Sequence, residues 1–193
     1  MRSPATNLFE PYRLVVFDFD GTLCDLPVDW SALKQTLSDH FQQRHGASID
    51  FRKLAEGKSS VAEQLGIEAA REAAIIQQRW EIQATESAHI EKNISTLITK
   101  LRADAKLLAV FSANTTAAIR AVLSRHDLEK HFSLIVGCDS VTHTKPDPEG
   151  LRLILRHHNA PPSETVMIGD TDYDLLAASA VNVPFIHINK ASE

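Results

Sequence analysis

The sequence predicts an α/β fold: a five-stranded parallel sheet covered by helices, carrying an inserted α-helical cap. Three observations predict it. Leu14-Val15-Val16-Phe17 is a short apolar run that ends directly in Asp18-Phe19-Asp20-Gly21-Thr22, as a buried parallel strand does when it delivers polar residues to its C-terminal end. From residue 107 onward, similar runs alternate with helical stretches, the pattern of a sheet with helices on both faces. Between the two, the chain shows helical periodicity over a length that no loop accounts for.

The first strand covers 14–18. Residues two apart on a strand share a face, so Asp18 and Asp20 point into one crevice and Phe19 into the core. Gly21 lets the chain turn off the strand. In the insert, Trp30, Leu33, Leu37 and Phe41 recur at helical spacing after Pro27 and Asp29 and before Gly46, which predicts a helix with both ends marked. A second helix is expected from about Glu68 to Ser87, a stretch rich in Ala, Glu, Gln and Arg. Gly57, Gly66 and the pair Ser59-Ser60 read as breaks. The cap is thus placed at 26–91, leaving 1–25 and 92–193 to the core. Core strands are expected at 107–111, 134–136, 165–168 and 184–188. One core helix, at about 115–125, takes Asn114, Thr115 or Thr116 as its cap. Another opens with Asp147 as cap and Pro148 in first position, and a third follows Asp172, itself read as a cap.

Composition narrows the function. A formal net charge of -5 over 193 residues, with no dense basic cluster, argues against nucleic acid or an anionic membrane as the main partner. No apolar stretch is long enough to span a bilayer, and the segment MRSPATNLFEPY lacks the apolar core of a secretory signal. Cys24 and Cys138 are too few for a disulfide framework, which fits a reducing cytoplasm. The nine His residues form no ligand pattern along the chain, so an expected metal is a hard one held by oxygen.

The strand ends carry the candidate chemistry. Neighbouring carboxylates repel unless a cation or a shared proton compensates, so Asp18 and Asp20 point to a metal-assisted site with a nucleophile and an acid/base partner. Ser112-Ala113-Asn114 precedes a helix, where a hydroxyl and free N–H groups suit a phosphate; taken alone, Ser112 or Asn114 reads as a helix cap. Lys145-Pro146-Asp147-Pro148 sets a lysine where it can neutralise both a phosphate and Asp18; taken alone, it is a solvated loop lysine. Gly169-Asp170-Thr171-Asp172-Tyr173-Asp174 ends the fourth strand. A cap and a first-turn dipole partner explain Asp172 and Asp174 but not Asp170.

Taken in order, these segments resemble the motifs of the haloacid dehalogenase-like hydrolase superfamily: Asp18-Phe19-Asp20-Gly21-Thr22, then Ser112, then Lys145 followed by Pro-Asp-Pro, then Gly169-Asp170 with Asp174. The cap position and the Lys-Pro-Asp-Pro segment look most like the branch of phosphoglycolate phosphatases and β-phosphoglucomutases. The resemblance implies a Rossmann-like three-layer core with strands in the order 134–136, 107–111, 14–18, 165–168, 184–188. It implies a Mg2+-dependent, phosphoglycolate phosphatase-like enzyme, a cytoplasmic monomer or homodimer acting on a small phosphorylated metabolite. Asp18 would be the nucleophile that forms an aspartyl-phosphate, and Asp20 the acid/base. Mg2+ would be held by the Asp18 carboxylate, the Asp20 backbone carbonyl and Asp170, with Asp174 acting directly or through water. Ser112 and the Ala113 N–H would hold the transferring phosphoryl group, Lys145 would bridge it to Asp18, and Thr22 and Asn114 join the substrate-binding set. The return from cap to core, Ser87 to Ile94, lacks the Pro-Gly pair often seen there in the family, which leaves that boundary open.

Other functions share this core. A dehalogenase has no need of an acid at Asp20. A phosphomutase would differ only in a cap that excludes water and reorients a sugar phosphate, and a catalytically silent binding module would keep the fold alone. Within the cap, Gly57-Lys58-Ser59-Ser60 resembles the substrate-facing loop of related helical caps. It is expected as a flexible break from which Lys58 reaches a carboxylate or second anionic group of the substrate, with Ser59 or Ser60 opening the next helix; the plainer reading leaves Lys58 solvated.

Overall fold

Strand β1 (Leu14–Phe17) lies at the centre of a parallel sheet and is buried along its whole length. The computed structural model describes residues 8–188. β1 pairs on one side with β2 (Leu107–Phe111) and on the other with β4 (Thr165–Gly169). β3 (Leu134–Val136) flanks β2, and β5 (Phe185–His187) flanks β4. The order β3-β2-β1-β4-β5 is the one expected from sequence. An interior parallel strand meets helices on both faces and so carries a continuous apolar run rather than an alternation.

Alternate residues of β1 enter different cores. Val15, Phe17 and Phe19 join Ile98 and Leu101 of α4 (Lys92–Ala103) and Ile119, Val122 and Leu123 of α5 (Thr116–Arg125). Leu14 and Val16 join Leu151 and Ile154 of α6 (Glu149–His157) and Ala177 and Ala178 of α7 (Asp172–Ser179). Three layers result. Each fully buried Leu, Val or Phe contributes roughly 1.5–3 kcal/mol of transfer free energy.

A third core belongs to the helices between β1 and β2. Leu33, Leu37 and Phe41 of α1 (Trp30–His45) pack on Val61 of α2 (Leu54–Leu65) and on Ala69 and Ala73 of α3 (Ile67–Ala84). α1 begins and ends where its sequence says. Asp29 accepts from the Ala32 N–H at 2.9 Å, and Gly46 closes the helix at φ 66. The segment leaving β1 and the segment returning from α3 pair briefly, Asp25 N–H donating to His89 O at 3.0 Å and His89 N–H to Asp25 O at 3.2 Å.

Three local expectations are corrected. Gly57, Lys58, Ser59 and Ser60 lie inside α2, not in a break. Gly57 is there because a Cβ would stand 2.5 Å from the Phe51 ring and 2.8 Å from the Asp50 carbonyl oxygen, so close packing and not flexibility requires it. The cap of α7 is Thr171, with Asp172 in the first turn. Helix α6 starts one residue later than expected, although Asp147 still accepts from the Glu149 N–H at 2.8 Å. Among the described residues, no helix is long and apolar enough to cross a membrane.

Candidate active site

Register brings the candidate residues together. Phe17 pairs with Val110 and Ile168, so Asp18, Ser112 and Asp170 all emerge at the C-terminal edge of the sheet. The ladder runs slightly past the strands, with Asp18 N–H donating to Ile168 O at 2.8 Å and Ser112 N–H to Val136 O at 3.0 Å. Both residues are buried. Gly21, at φ +87, turns the chain beneath Asp170. A Cβ at Gly21 would lie 2.2 Å from Asp170 Oδ2, so any other residue there strains the backbone and displaces the Asp170 carboxylate.

Lys145 is the hub, not a solvated loop lysine. It is buried, and its Nζ lies 2.5 Å from Asp18 Oδ1 and 2.5 Å from Asp174 Oδ1. Burial alone would depress its pKa, but the two carboxylates outweigh that and hold it above the ordinary lysine value. Burial pushes the Asp18 carboxyl up to about 6 against the opposing pull of Lys145. Asp174 also completes a capping box, its Oδ2 accepting from Thr171 N–H at 3.1 Å and Thr171 Oγ1 at 2.6 Å. Both of its oxygens are therefore engaged. Asp170 accepts from Thr22 Oγ1 at a long 3.4 Å.

Carboxylate oxygens of Asp18, Asp170 and Asp174 lie within 4.8 Å of one another. Three carboxylates facing one ammonium leave uncompensated negative charge. An oxygen-only donor set of that charge fits a hard dication such as Mg2+. Asp20 stands apart from this group, its Oδ1 accepting from the Leu26 N–H at 3.0 Å.

Ser112 donates to Asn114 Oδ1 at 2.9 Å, while its Oγ accepts from Asn114 N–H at 3.2 Å. Asn114 Nδ2 in turn donates to Glu81 Oε1 at 2.9 Å. Glu81 Oε2 accepts from Thr115 N–H at 2.8 Å and from Thr115 Oγ1 at 2.6 Å. Gln77 Nε2 donates to Glu81 Oε1 at 2.7 Å and to the Ala113 carbonyl at 2.9 Å. Gln77 and Glu81 are fully buried on α3, so the cap helix grips the 112–115 turn directly.

A cavity of about 190 Å3 opens above Asp18, lined on the core side by Asp20, Ser112, Ala113, Asn114 and Lys145 and on the cap side by Trp30, Leu54, Ala55 and Gln77, with Thr171 and Tyr173 at one edge. Lys58 does not line it. Its Nζ donates to Gln77 Oε1 at 2.8 Å, and it faces a neighbouring groove with Cys138 and Asp139. Lys58, expected to read the substrate, lies one turn inside a helix with its ammonium on the buried Gln77.

Sequence reading missed Gln77, Glu81, Leu54 and Tyr173. One signal was available for the first two. Ala69, Ala73, Gln77 and Glu81 form an i, i+4 row, so two polar residues continue a row of small residues along the buried face.

A family model for haloacid dehalogenase-like hydrolases matches residues 15–188. The chain is 28% identical over 184 residues to a probable phosphatase, IndB, of Dickeya dadantii, covering 91% of this chain and 80% of that protein. It is 25% identical over 179 residues to a phosphoglycolate phosphatase of Vibrio cholerae, covering 86% and 79%. Among solved structures, CbbY from Rhodobacter sphaeroides in complex with phosphate shares the fold at a TM-score of 0.67 and 20% identity, covering 94% of this chain and 90% of that one.

Proposed function

Since the chain belongs to the haloacid dehalogenase-like hydrolase family, we propose that it is a Mg2+-dependent phosphatase that hydrolyses a small phosphomonoester through an aspartyl-phosphate on Asp18. The observation that carries this reading is Lys145, whose ammonium touches Asp18 and Asp174 at the floor of the cavity. A cation fixed there keeps Asp18 ionised and offsets the charge of an arriving phosphate. Similarity to proteins named as phosphatases supports the hydrolase assignment.

The chain's residues divide the reaction into two steps. An Asp18 carboxylate oxygen attacks phosphorus; its O–P bond forms as the bond to the leaving oxygen breaks, and Asp20 gives that oxygen a proton. Asp20 then takes a proton from a water whose oxygen attacks the same phosphorus, freeing Asp18 and releasing orthophosphate. Asp20 suits the part because a backbone N–H, at 3.0 Å, aims its carboxylate. Ser112 Oγ, its proton turned from Asn114 Oδ1 to the phosphoryl group, holds the phosphoryl oxygens together with the Ala113 N–H and Lys145, with Thr22 supporting Asp170 and the Asn114 N–H supporting Ser112 Oγ. The carboxylates of Asp18 and Asp170 and the Asp20 carbonyl would hold Mg2+, with Asp174, both oxygens already engaged, reaching it through water. When bound, the ion offsets the charge on the phosphoryl group.

The cavity's size and the apolar side chains of Trp30, Leu54 and Ala55 support a small leaving group, of the size found in phosphoglycolate. Pairing of Asp25 with His89 supports dividing the chain into a core of 1–25 and 92–193 and a cap of 26–91. The test is release of orthophosphate from p-nitrophenyl phosphate and a panel of small phosphomonoesters that includes phosphoglycolate, with Mg2+ and with chelator. Activity should require Mg2+, and Asp20→Asn should lower kcat by about 10²–10⁴. No Mg2+-dependent hydrolysis of any panel member would sink the reading.

A further inference from the structure

Five residues apart in the sequence, His40 and His45 are brought by the cap helices onto one carboxylate. His40 and His45 lie near the C-terminus of α1, and Glu72 lies on α3. His40 Nε2 is 2.9 Å, and His45 Nε2 3.1 Å, from the same Oε2 of Glu72. One donor atom from each of the three lies within 4.8 Å of the others. We propose that these three side chains form a second metal site, which takes a borderline transition-metal dication of the Zn2+ class and clasps α1 to α3. The proposal does not rest on the phosphatase reading, because none of the three residues lines the cavity above Asp18.

The donor set selects the ion. Two imidazole nitrogens and one carboxylate oxygen suit Zn2+, Co2+ or Ni2+ and are poor ligands for Mg2+. Zn–N bonds of about 2.0–2.1 Å place two donors of a tetrahedral site roughly 3.4 Å apart. The observed 2.9 and 3.1 Å are hydrogen-bond separations, so the side chains need to part only slightly to admit the ion between them. Water fills the remaining position from solvent, since the His40, His45 and Glu72 side chains are 31%, 25% and 31% exposed.

Packing holds the two imidazoles ready. Phe41, fully buried, meets His40 edge-on at 5.1 Å and stacks on His45 at 5.5 Å. Gly46 ends the helix immediately after His45, its N–H bonded to Gln42 O at 3.1 Å, which fixes the turn that presents the ring. One group competes: Arg44 Nε stands 3.4 Å from the same Glu72 oxygen. Its side chain is 64% exposed and swings into water when a dication takes its place. The rival account is a plain hydrogen-bonded clasp, in which both rings donate to Glu72 and no metal is taken up. The two accounts make the same contacts here and differ in metal binding.

The test uses the full-length protein with excess Mg2+ to occupy oxygen-only sites. Zn2+ is titrated calorimetrically, and Co2+ by its visible absorption, which reports nitrogen ligands in a four-coordinate site. Wild type and Asp170→Asn should each take one equivalent of Zn2+ and give the same Co2+ spectrum. His40→Ala should bind at least about tenfold more weakly. His45→Gln keeps a donor for Glu72 but gives up the ligand nitrogen; it should retain its circular dichroism and lose the Co2+ spectrum. Zn2+ should raise the Tm of wild type and not that of His45→Gln. Zn2+ affinity unchanged in both histidine variants, or no uptake by Asp170→Asn, overturns the site.

Discussion

Asp18 is asked to be buried and ionised at once. Burial pushes its carboxyl from 3.8 to about 6, although Lys145 pulls the other way. The folded protein therefore binds this proton more readily than the unfolded chain does. Its contribution to stability is greatest below about pH 4 and is lost as pH rises through about 6. Asp18→Asn cannot ionise, and it leaves Lys145 its second partner, Asp174. In metal-free protein, thermal melts should favour the variant over wild type increasingly between pH 4 and pH 7, while turnover is abolished. A constant difference in Tm across that range would contradict the burial argument, and Mg2+-dependent turnover at the wild-type rate would remove Asp18 as nucleophile. Gly21 makes a second residue-scale case. Gly21→Ala places a methyl 2.2 Å from Asp170 Oδ2 at φ +87. It should cost about 1–3 kcal/mol of stability in a denaturant melt and weaken Mg2+ activation by displacing Asp170. Unchanged Mg2+ dependence would show that Asp170 is not a ligand. The grouping of Asp18, Ser112, Lys145 and Asp170 was legible in sequence because each follows or precedes a short, marked element. The two-residue strand period alone aims Asp18.

Elements were less evenly legible. The strands were plain because interior parallel strands are continuous apolar runs, and α1 because Asp29 and Gly46 mark its ends. Helix α2 was not: Gly57 and two serines read as a break, whereas a tertiary contact with Phe51 put the glycine inside the helix. The grip of α3 on the 112–115 turn was hidden for a related reason. Gln and Glu are ordinarily solvent-facing, and only the partners supplied by Ala113, Asn114 and Thr115 make their burial tolerable. Glu81→Ala strands Asn114 Nδ2 and the Thr115 N–H together. It should cost about 1–3 kcal/mol, and it should raise KM more than it lowers kcat, because Asn114 then no longer fixes the Ser112 hydroxyl. Glu81→Gln keeps one acceptor oxygen and should fall between the two. Denaturant melts and competition by orthophosphate separate these effects. An unchanged inhibition constant for orthophosphate in a destabilised Glu81→Ala would reduce Glu81 to a structural clamp.

At the scale of the whole molecule, cap and core meet at the Asp25–His89 pair, at the Glu81 grip, at the Arg125 guanidinium on the Glu86 and Ala88 carbonyls, and around the cavity roofed by Trp30, Leu54 and Ala55. The first two tie α3 and the crossing segments to the core, which leaves motion that admits substrate to the cavity's roof. That division was not visible in sequence, because it depends on which face of α3 meets the core. Expulsion of water from a roofed cavity strengthens each charge interaction inside it, so phosphate should draw the roof down. Trp30 lies in that roof, and Trp80, the other tryptophan, packs on the cap's own core. Orthophosphate with Mg2+ should therefore change the intrinsic fluorescence of wild type through Trp30 alone. Trp80→Phe should keep the change and Trp30→Phe should lose it, with a raised KM from the widened cavity. A signal that survives Trp30→Phe and vanishes with Trp80→Phe would place the moving part in the cap interior, against a roof that closes over the phosphate.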